Sequence, residues 1–552
     1  MSPSVLIVGA GPTGLTLALA LLKNGVPVRI IDKLASPRAG QKGNGIQPRT
    51  LEILKILGLL DDVLHRSTEI RPLRMYEMPG ATKVEKEHAL VKIVAPTPDK
   101  PLPNARGLGQ DRFEEILFEH LGALGCEVER GTELRSCTEN ADRVSAEILK
   151  ADGTVDKAEF EFVVGSDGGH STVRHMLGLS FLGETREAEG LVVADMYVPK
   201  GLDHEFWHIF RGASLLGTGS TPGAQTAAGS DHVHFMFRSS EIPQLFTVIA
   251  GGPRTREFPV ETRDGIIDYF YKATGRRDVV FGEMKCVSWW RPNIRMVDKF
   301  GEGRTFVAGD AAHTHSPTGG QGMNSGIQDA FNLAWKISLV YKKLAPFSLL
   351  STYSSERLPV IAAMLEKTTL LLNETLKKET AAAGAAWNRG DELQMFGINY
   401  RGSAIVLDEG NTQPDVLSSA YSVGKVLRAG DRAPAAPVKC ASDATVQTLL
   451  DVFSCQRHTV LVFTSDESAA RAVIDATMAL PEGVAETSVV LPRESAFQLS
   501  DAKVLEAIDR HAQTIYQVED EPTVVVVRPD GAIGAIVLEA GGVGRYFSKI
   551  LQ

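Results

Sequence analysis

Cysteine is scarce: five in 552 residues, Cys126, Cys137, Cys286, Cys440 and Cys455, an odd set without C-x-x-C spacing. That excludes a disulfide framework and a zinc ribbon, and it fits a reducing compartment. Positive charge is not in excess either, because 58 Lys and Arg stand against 68 Asp and Glu for a net charge of -10. No basic field gathers phosphate backbones, so nucleic acid and anionic membranes are not expected partners, and small or neutral ligands remain. No apolar run approaches the roughly 18 to 20 residues that span a bilayer. No basic n-region with a small-residue cleavage site precedes Val5, so a cytoplasmic location is expected. Internal repeats and low-complexity tracts are absent as well.

The sequence does hold ample core-forming material, 43% hydrophobic, enough for about three or four domains at roughly 100 to 200 residues each. The apolar run Val5 to Val8 ends in glycines, Leu15 to Leu22 favours helix, and Val26 to Ile31 is apolar again. That order reads strand, tight turn, helix, strand, and fully apolar strands suit a parallel sheet covered on both faces. Residues 1–180 are therefore expected to be α/β. Alternation in segments such as His232 to Phe237 predicts an inserted antiparallel sheet over 181–285. Residues 286–405 return to the α/β body, with a strand near Thr305 to Ala308 and a long helix over Gly326 to Leu344. A polar stretch from Leu407 to Gly424 reads as a linker to a separate unit, 425–552. There Val460 to Phe463, Thr487 to Leu491 and Thr523 to Val527 read as strands, and Arg528-Pro529-Asp530-Gly531 as a turn.

Three glycine-bearing motifs carry chemistry. Gly9-Ala10-Gly11-Pro12-Thr13-Gly14 is G-x-G-x-x-G between strand and helix, where bare backbone can approach a pyrophosphate at a helix N-terminus. Asp32, followed by Lys33, ends the next strand, where a carboxylate can accept from an adenosine ribose. Val163 to Gly165 runs into Ser166-Asp167-Gly168-Gly169 and a short helix ending near Arg174. Phe306 to Ala308 ends in Gly309-Asp310, and Pro317-Thr318-Gly319-Gly320-Gln321-Gly322-Met323-Asn324 leads into another helix. Free N–H groups there can face a ligand, and the helix dipole favours negative charge on it.

With these motifs in this order, the chain resembles the FAD-dependent aromatic hydroxylases, the group A flavoprotein monooxygenases. It looks most similar to the phenol 2-monooxygenase-like members through Gln47 to Glu52, Asn332 to Lys336 and Val524 to Gly531. The resemblance implies a Rossmann-like FAD-binding domain, an inserted antiparallel-sheet substrate domain and a C-terminal thioredoxin-like domain. It places Gly9, Gly11, Pro12, Gly14, Asp32 and Lys33 at the ADP half of FAD, and Arg49 and Gln110 near the flavin or its ribityl chain. It gives Asp310 the ribityl and phosphate side, and Pro317, Gly320, Gly322, Met323 and Asn324 the ring border. Asp167 to Arg174 would link FAD to transient NADPH or NADH, which has no second dinucleotide fingerprint. The implied reaction reduces FAD with NADPH, adds O2 at flavin C4a, and transfers the distal oxygen to a small aromatic substrate, expected to be phenolic.

The chain departs from that pattern where simple phenols are activated. An acid is expected just before Gln47 and a tyrosine before Arg291, but Asn44 and Trp290 stand there. Asn cannot remove a proton and an indole only donates, so His208, His234, Tyr197 and Arg291 are the remaining candidates. A flavin oxidase, reductase or epoxidase on the same fold is the alternative activity. His204-Glu205-Phe206-Trp207-His208 matches H-E-x-x-H, yet its surroundings read as strands, so no metal site is assigned. His313 and His315 are read as structural, and Arg295 either as a capping or surface ion-pair residue or as a contact to substrate or cofactor. Cys440 and Cys455 are too far apart for a redox pair, which leaves the C-terminal unit packing or homodimer contacts.

Overall fold

The computed structural model describes residues 3–78, 80–187, 190–213, 233–252, 255–316, 319–376, 391–411, 419–422, 424, 426–492, 499, 501–518 and 522–552. Val5–Val8 (β1) pairs in parallel with Val28–Asp32 (β2) on one side and Phe162–Gly165 (β3) on the other. Val128–Arg130 and Thr305–Val307 extend the sheet in parallel, and Gly301–Glu302 closes it as an antiparallel edge. Val5, Leu6 and Ile7 are fully buried, as an interior parallel strand with no polar face requires. Helix Pro12–Lys23 (α1) packs between Gln110–Ala123 (α3) and Gly322–Tyr341 (α4). Short helix Pro48–Ile56 (α2) leans on α4, as does the long Ser351–Leu376 (α5). Every residue of α4 from Asn324 to Leu339 is buried, which makes it the spine of the molecule.

A second, seven-stranded sheet runs Met284–Trp290 (β7), Leu191–Tyr197 (β4), Leu245–Gly251 (β6), Val233–Ser239 (β5), Trp207–Ala213, Leu73–Tyr76 and Val84–His88. One face is covered by helix Arg263–Thr274, where Phe210, Phe235, Phe237, Phe246 and Phe270 interlock. The ring centroids of Phe237 and Phe270 lie 5.1 Å apart. This sheet differs from the expected 181–285 insertion in two respects. It runs on to Trp290, and it recruits Leu73–Tyr76, which joins Trp207–Ala213 in parallel, so the sheet is mixed. The recruited strands are short, and Val84–His88 carries charge instead of alternation, the usual protection of a sheet edge. Neither has a sequence pattern that reveals its partner.

The C-terminal eight-stranded sheet has Ala485–Leu491, His458–Phe463, Thr523–Val527 and Ile533–Val537 as successive neighbours at its centre. Leu407–Asp408 pairs with Ile533–Val537, so the start of the expected linker belongs to this sheet. Trp335 and Leu339 of α4 share its core with Val460, Val462 and Tyr546. Among the described residues no helix is long and apolar enough to cross a membrane.

Candidate active site

Gly9, at the end of β1, has φ +104°, and a Cβ there would collide with the Ser166 carbonyl. Gly14 is equally crowded, its bare side facing the Gly9 carbonyl and the Ser166 hydroxyl. Gly11 is the opposite case, because a Cβ built there meets nothing within 4 Å. It is the N-cap of α1, no side chain caps that helix, and Pro12 starts it. The first-turn N–H groups therefore keep their positive field for an external anion. Beside them, Asp32 accepts from the amides of Ala10 and Leu34, each at 2.9 Å, while Lys33 is exposed.

The two later motifs brace this turn. Ser166 Oγ donates to Gly9 O at 2.8 Å. The Asp167 carboxylate is occupied within its own segment, accepting from Ser171 Oγ at 2.5 Å and Thr172 N at 2.7 Å. Arg174, buried, donates to Ala311 O at 3.0 Å, tying the Asp-Gly motif to the Gly-Asp motif. Gly309 has φ +59° and lies against Thr13, and its amide donates to Asp329 Oδ2 at 3.0 Å. His313 Nε2 reaches that oxygen at 2.7 Å and Arg357 Nε the other at 2.7 Å. Burial would raise the Asp329 carboxyl, but Arg357 and His313 hold it below its ordinary range. The Gly-Asp turn thus hangs from α4, and Asp310 is left exposed.

At the start of α4, Gly319 and Gly320 both have positive φ, and Asn324 stitches the loops together. Its Oδ1 accepts from Gln47 N at 2.8 Å, and its Nδ2 donates to Gly45 O at 2.8 Å and Gly320 O at 2.7 Å. Gln47 Nε2 returns a bond to Gly319 O at 3.1 Å. No side chain caps α4 and its first turn has no acid, so this helix start is electropositive too, with Gly322 and Met323 half-buried beside it. Pro317 lies outside the described residues. These residues fit FAD: room and free amides at Gly11, carboxylates at Asp32 and Asp310 for sugar hydroxyls, and a second uncapped helix start for a ring that gains negative charge.

The sequence matches the family described as "FAD binding domain" over residues 2–368. A flavin-dependent monooxygenase of Mycobacteroides abscessus is 32% identical over 552 residues, covering 99% of this chain and 100% of that protein. The chain belongs to the FAD-dependent monooxygenases. A 6-methylpretetramide 4-monooxygenase of Streptomyces rimosus is 36% identical over 368 residues, 66% of this chain and 61% of that protein. The crystal structure of the flavin-dependent monooxygenase PieE in complex with FAD and substrate shares the fold, with a TM-score of 0.80 at 23% identity over 99% of this chain and 98% of that one. As a member, the protein binds FAD and consumes NAD(P)H and O2.

In this monooxygenase, strand register gives the second sheet a face that carries the contacts to the loop before Asn44. Trp290, Leu191, Gly251 and His234 form one row across it, and Ser288, Val193, Ile249 and Met236 the next. The third row, Cys286, Asp195, Thr247 and Arg238, is polar and grips the loop before Asn44. Asp195 Oδ2 accepts from Gln41 N at 2.6 Å, Asp195 Oδ1 from Thr247 Oγ1 at 2.6 Å, and Arg238 donates to Lys42 O at 2.8 Å. Burial and the neighbouring Asp195 push the Cys286 thiol up to about 11, so it stays protonated and donates to that carboxylate at 3.3 Å. Glu241 accepts from the Gly109 amide and from Gln41 Nε2, each at 3.3 Å. Sequence reasoning missed Asp195 and Glu241, because nothing in their neighbourhoods marks a partner so far away in the chain.

Several expected site residues of the monooxygenase do not share these rows. His208 is fully buried, its Nε2 donating to Asp203 O at 2.7 Å and its Nδ1 accepting from the Tyr76 hydroxyl at 2.6 Å. It is a neutral core histidine on the helix-covered face, and its segment is a turn over His204 to Phe206 that runs into strand, not the helix a zincin needs. His234 and Trp290, by contrast, share a row on the face that carries Asp195 and Arg238. Arg291 pairs with Glu187 at the surface, and Tyr197 sits at the far end of β4 beneath Lys285. The Arg49 guanidinium turns away from the loops to Glu52 and the C-terminal unit, since its carbonyl partners lie there. The Gln110 side chain lies along its own helix on Glu114 at 2.9 Å. Asn44 is buried, its carbonyl accepting from Leu108 N at 2.9 Å. A cleft of about 560 Å³ lined by Lys23, Lys55 and Gln456 lies at the opposite end of α1 from Gly11 and is not the cofactor site.

Proposed function

We propose that this monooxygenase hydroxylates a phenolic aromatic compound held between the cofactor loops and the rows Trp290–His234 and Val193–Met236. The observation that carries the reading is that face: mostly apolar, half-buried and laced to the loop before Asn44 by Asp195 and Arg238. When bound, FAD supplies electron transfer from NAD(P)H and the activation of O2. Everything else is the work of this chain. Gly9, Gly11 and Gly14 admit the pyrophosphate, Asp32 and Asp310 accept from sugar hydroxyls, and the first turns of α2 and α4, stitched by Gln47 and Asn324, border the ring. Val193, Ile249, Met236 and Leu191 keep water from the reacting atoms. His234 accepts the phenolic proton in place of the missing acid, and the Trp290 indole N–H orients the ring oxygen. A folded protein carrying five free thiols supports a cytoplasmic location. The strand order about His458–Phe463 supports a thioredoxin-like C-terminal domain without its redox pair, placed to serve packing or a homodimer.

The test is anaerobic reduction of the bound flavin by NADPH, with and without a panel of simple and polycyclic phenols, followed by air. Substrate-stimulated bleaching with an oxygenated product is expected. Bleaching that yields only peroxide with every phenol would replace hydroxylation by an oxidase-like activity.

A further inference from the structure

Three motifs far apart in the chain meet at one buried turn. Arg528 donates to both oxygens of Glu356 on α5, at 2.7 and 2.9 Å. Glu356 also receives Lys336 at 2.7 Å and Asn332 at 2.8 Å, both from α4. The Asp530 carboxylate receives Asn332 at 3.0 Å and Trp335 Nε1 at 3.3 Å. From α2, Arg49 donates to the carbonyls of Asp530 at 3.1 Å and Gly531 at 3.0 Å. Gly531 has φ +72°, and a Cβ there would press on the Arg49 guanidinium at 3.0 Å. Lys336, Glu356 and Arg528 are entirely buried.

Such a cluster is poorly explained as a source of stability, since well-packed apolar residues do as well or better than buried ion pairs. What it does impose is geometry, because each donor must meet its acceptor within tenths of an ångström. The geometry it imposes is that of the cofactor loops. Arg49 is two residues beyond Gln47, and Asn332 is eight residues, about 12 Å of helix, beyond Asn324. We propose that the Arg528–Gly531 turn is a positioning element for the flavin, fixing α2 against α4 and so the spacing of Gln47 and Asn324 at the ring. The inference rests on the FAD assignment.

The test uses the full-length holoenzyme with Arg49→Lys, Arg49→Met and Asp530→Asn. The readouts are the visible spectrum and midpoint potential of the bound flavin, and the FAD dissociation constant from titration of the apoprotein. Weaker FAD binding by about tenfold with a displaced visible band is expected, Arg49→Lys being milder than Arg49→Met. Unchanged affinity, spectrum and potential, with only a lower melting temperature, would overturn the proposal and leave an ordinary domain contact. If those variants do not fold, Trp335→Phe removes one donor from Asp530 and keeps the ring packing, and the same two outcomes decide. A wild-type protein that binds no FAD would overturn the cofactor assignment itself, which variants equal to a flavin-loaded wild type would not.

Discussion

The carboxylate of Asp195 holds the main-chain N–H of Gln41 at 2.6 Å, across the seam between the second sheet and the cofactor-binding body. Nothing else on β4 is both polar and buried. Removing that acceptor as Asp195→Ala leaves the Gln41 amide and the Thr247 hydroxyl unmatched, a cost of about 2 kcal/mol or more. The loop before Asn44 should then loosen, with peroxide formed per NADPH consumed rising several-fold. Coupled oxygen and product measurements check this, and unchanged coupling would mean the clamp is only structural.

Gly11 and Gly14 are expected to separate cofactor binding from folding. A methyl at Gly11 meets no protein atom, so Gly11→Ala should change stability by no more than about 1 kcal/mol while losing flavin. Gly14→Ala drives its methyl into the Gly9 carbonyl and should cost about 1–3 kcal/mol or more. Melting curves of both apoproteins, beside flavin occupancy after purification, check the contrast.

His208 should make the fold acid-sensitive. Burial pushes its imidazole down to about 4, so between about pH 6.5 and 4 the unfolded chain binds a proton that the folded one does not. Stability is complete above pH 6.5 and falls as pH drops, by about 3 kcal/mol at pH 4. His458, pushed down by burial to about 3, adds to the same slope. Denaturant unfolding at pH 7.5, 6 and 5 should show a steeper decline for the wild type than for His208→Gln.

His234→Leu and Asn44→Asp probe the other side of the sheet. The first removes the proposed proton acceptor from the row shared with Trp290 and should lower kcat by about 100-fold, with little change in melting temperature. The second supplies a carboxylate and should move turnover toward simple phenols. Product formation across a phenol panel reads both, and an unshifted selectivity for Asn44→Asp would remove Asn44 from the site.

The glycine motifs were legible because their meaning is local: a turn, a helix start and an acid a fixed distance on. The choice between His208 and His234 was not. Both lie on strands with period-two alternation, and only the pairing of Trp207–Ala213 with β5, and of β5 with β6, decides which phase shares the face of Asp195 and Arg238 and which meets the Phe270 helix. The partners of Arg49 were hidden for a similar reason. Its segment resembles a flavin-proximal motif, yet its partners are the carbonyls of Asp530 and Gly531, 481 and 482 residues away. The recruited strand Leu73–Tyr76 has only four residues, too few for a pattern to show which neighbour it joins.

The burial of Lys336 and Glu356 also sets an order of events at the ribosome. Arg528 lies 172 residues after Glu356, so at about 5–20 residues per second the two partners wait roughly 10–30 s for the guanidinium that completes them. Until then the Trp335 and Leu339 side of α4 lacks its C-terminal partners, and the helix has an unfinished far end. A nascent chain truncated before Arg528 should therefore expose Trp335 and Leu339, whose apolar partners come mostly from the C-terminal sheet and its flanks.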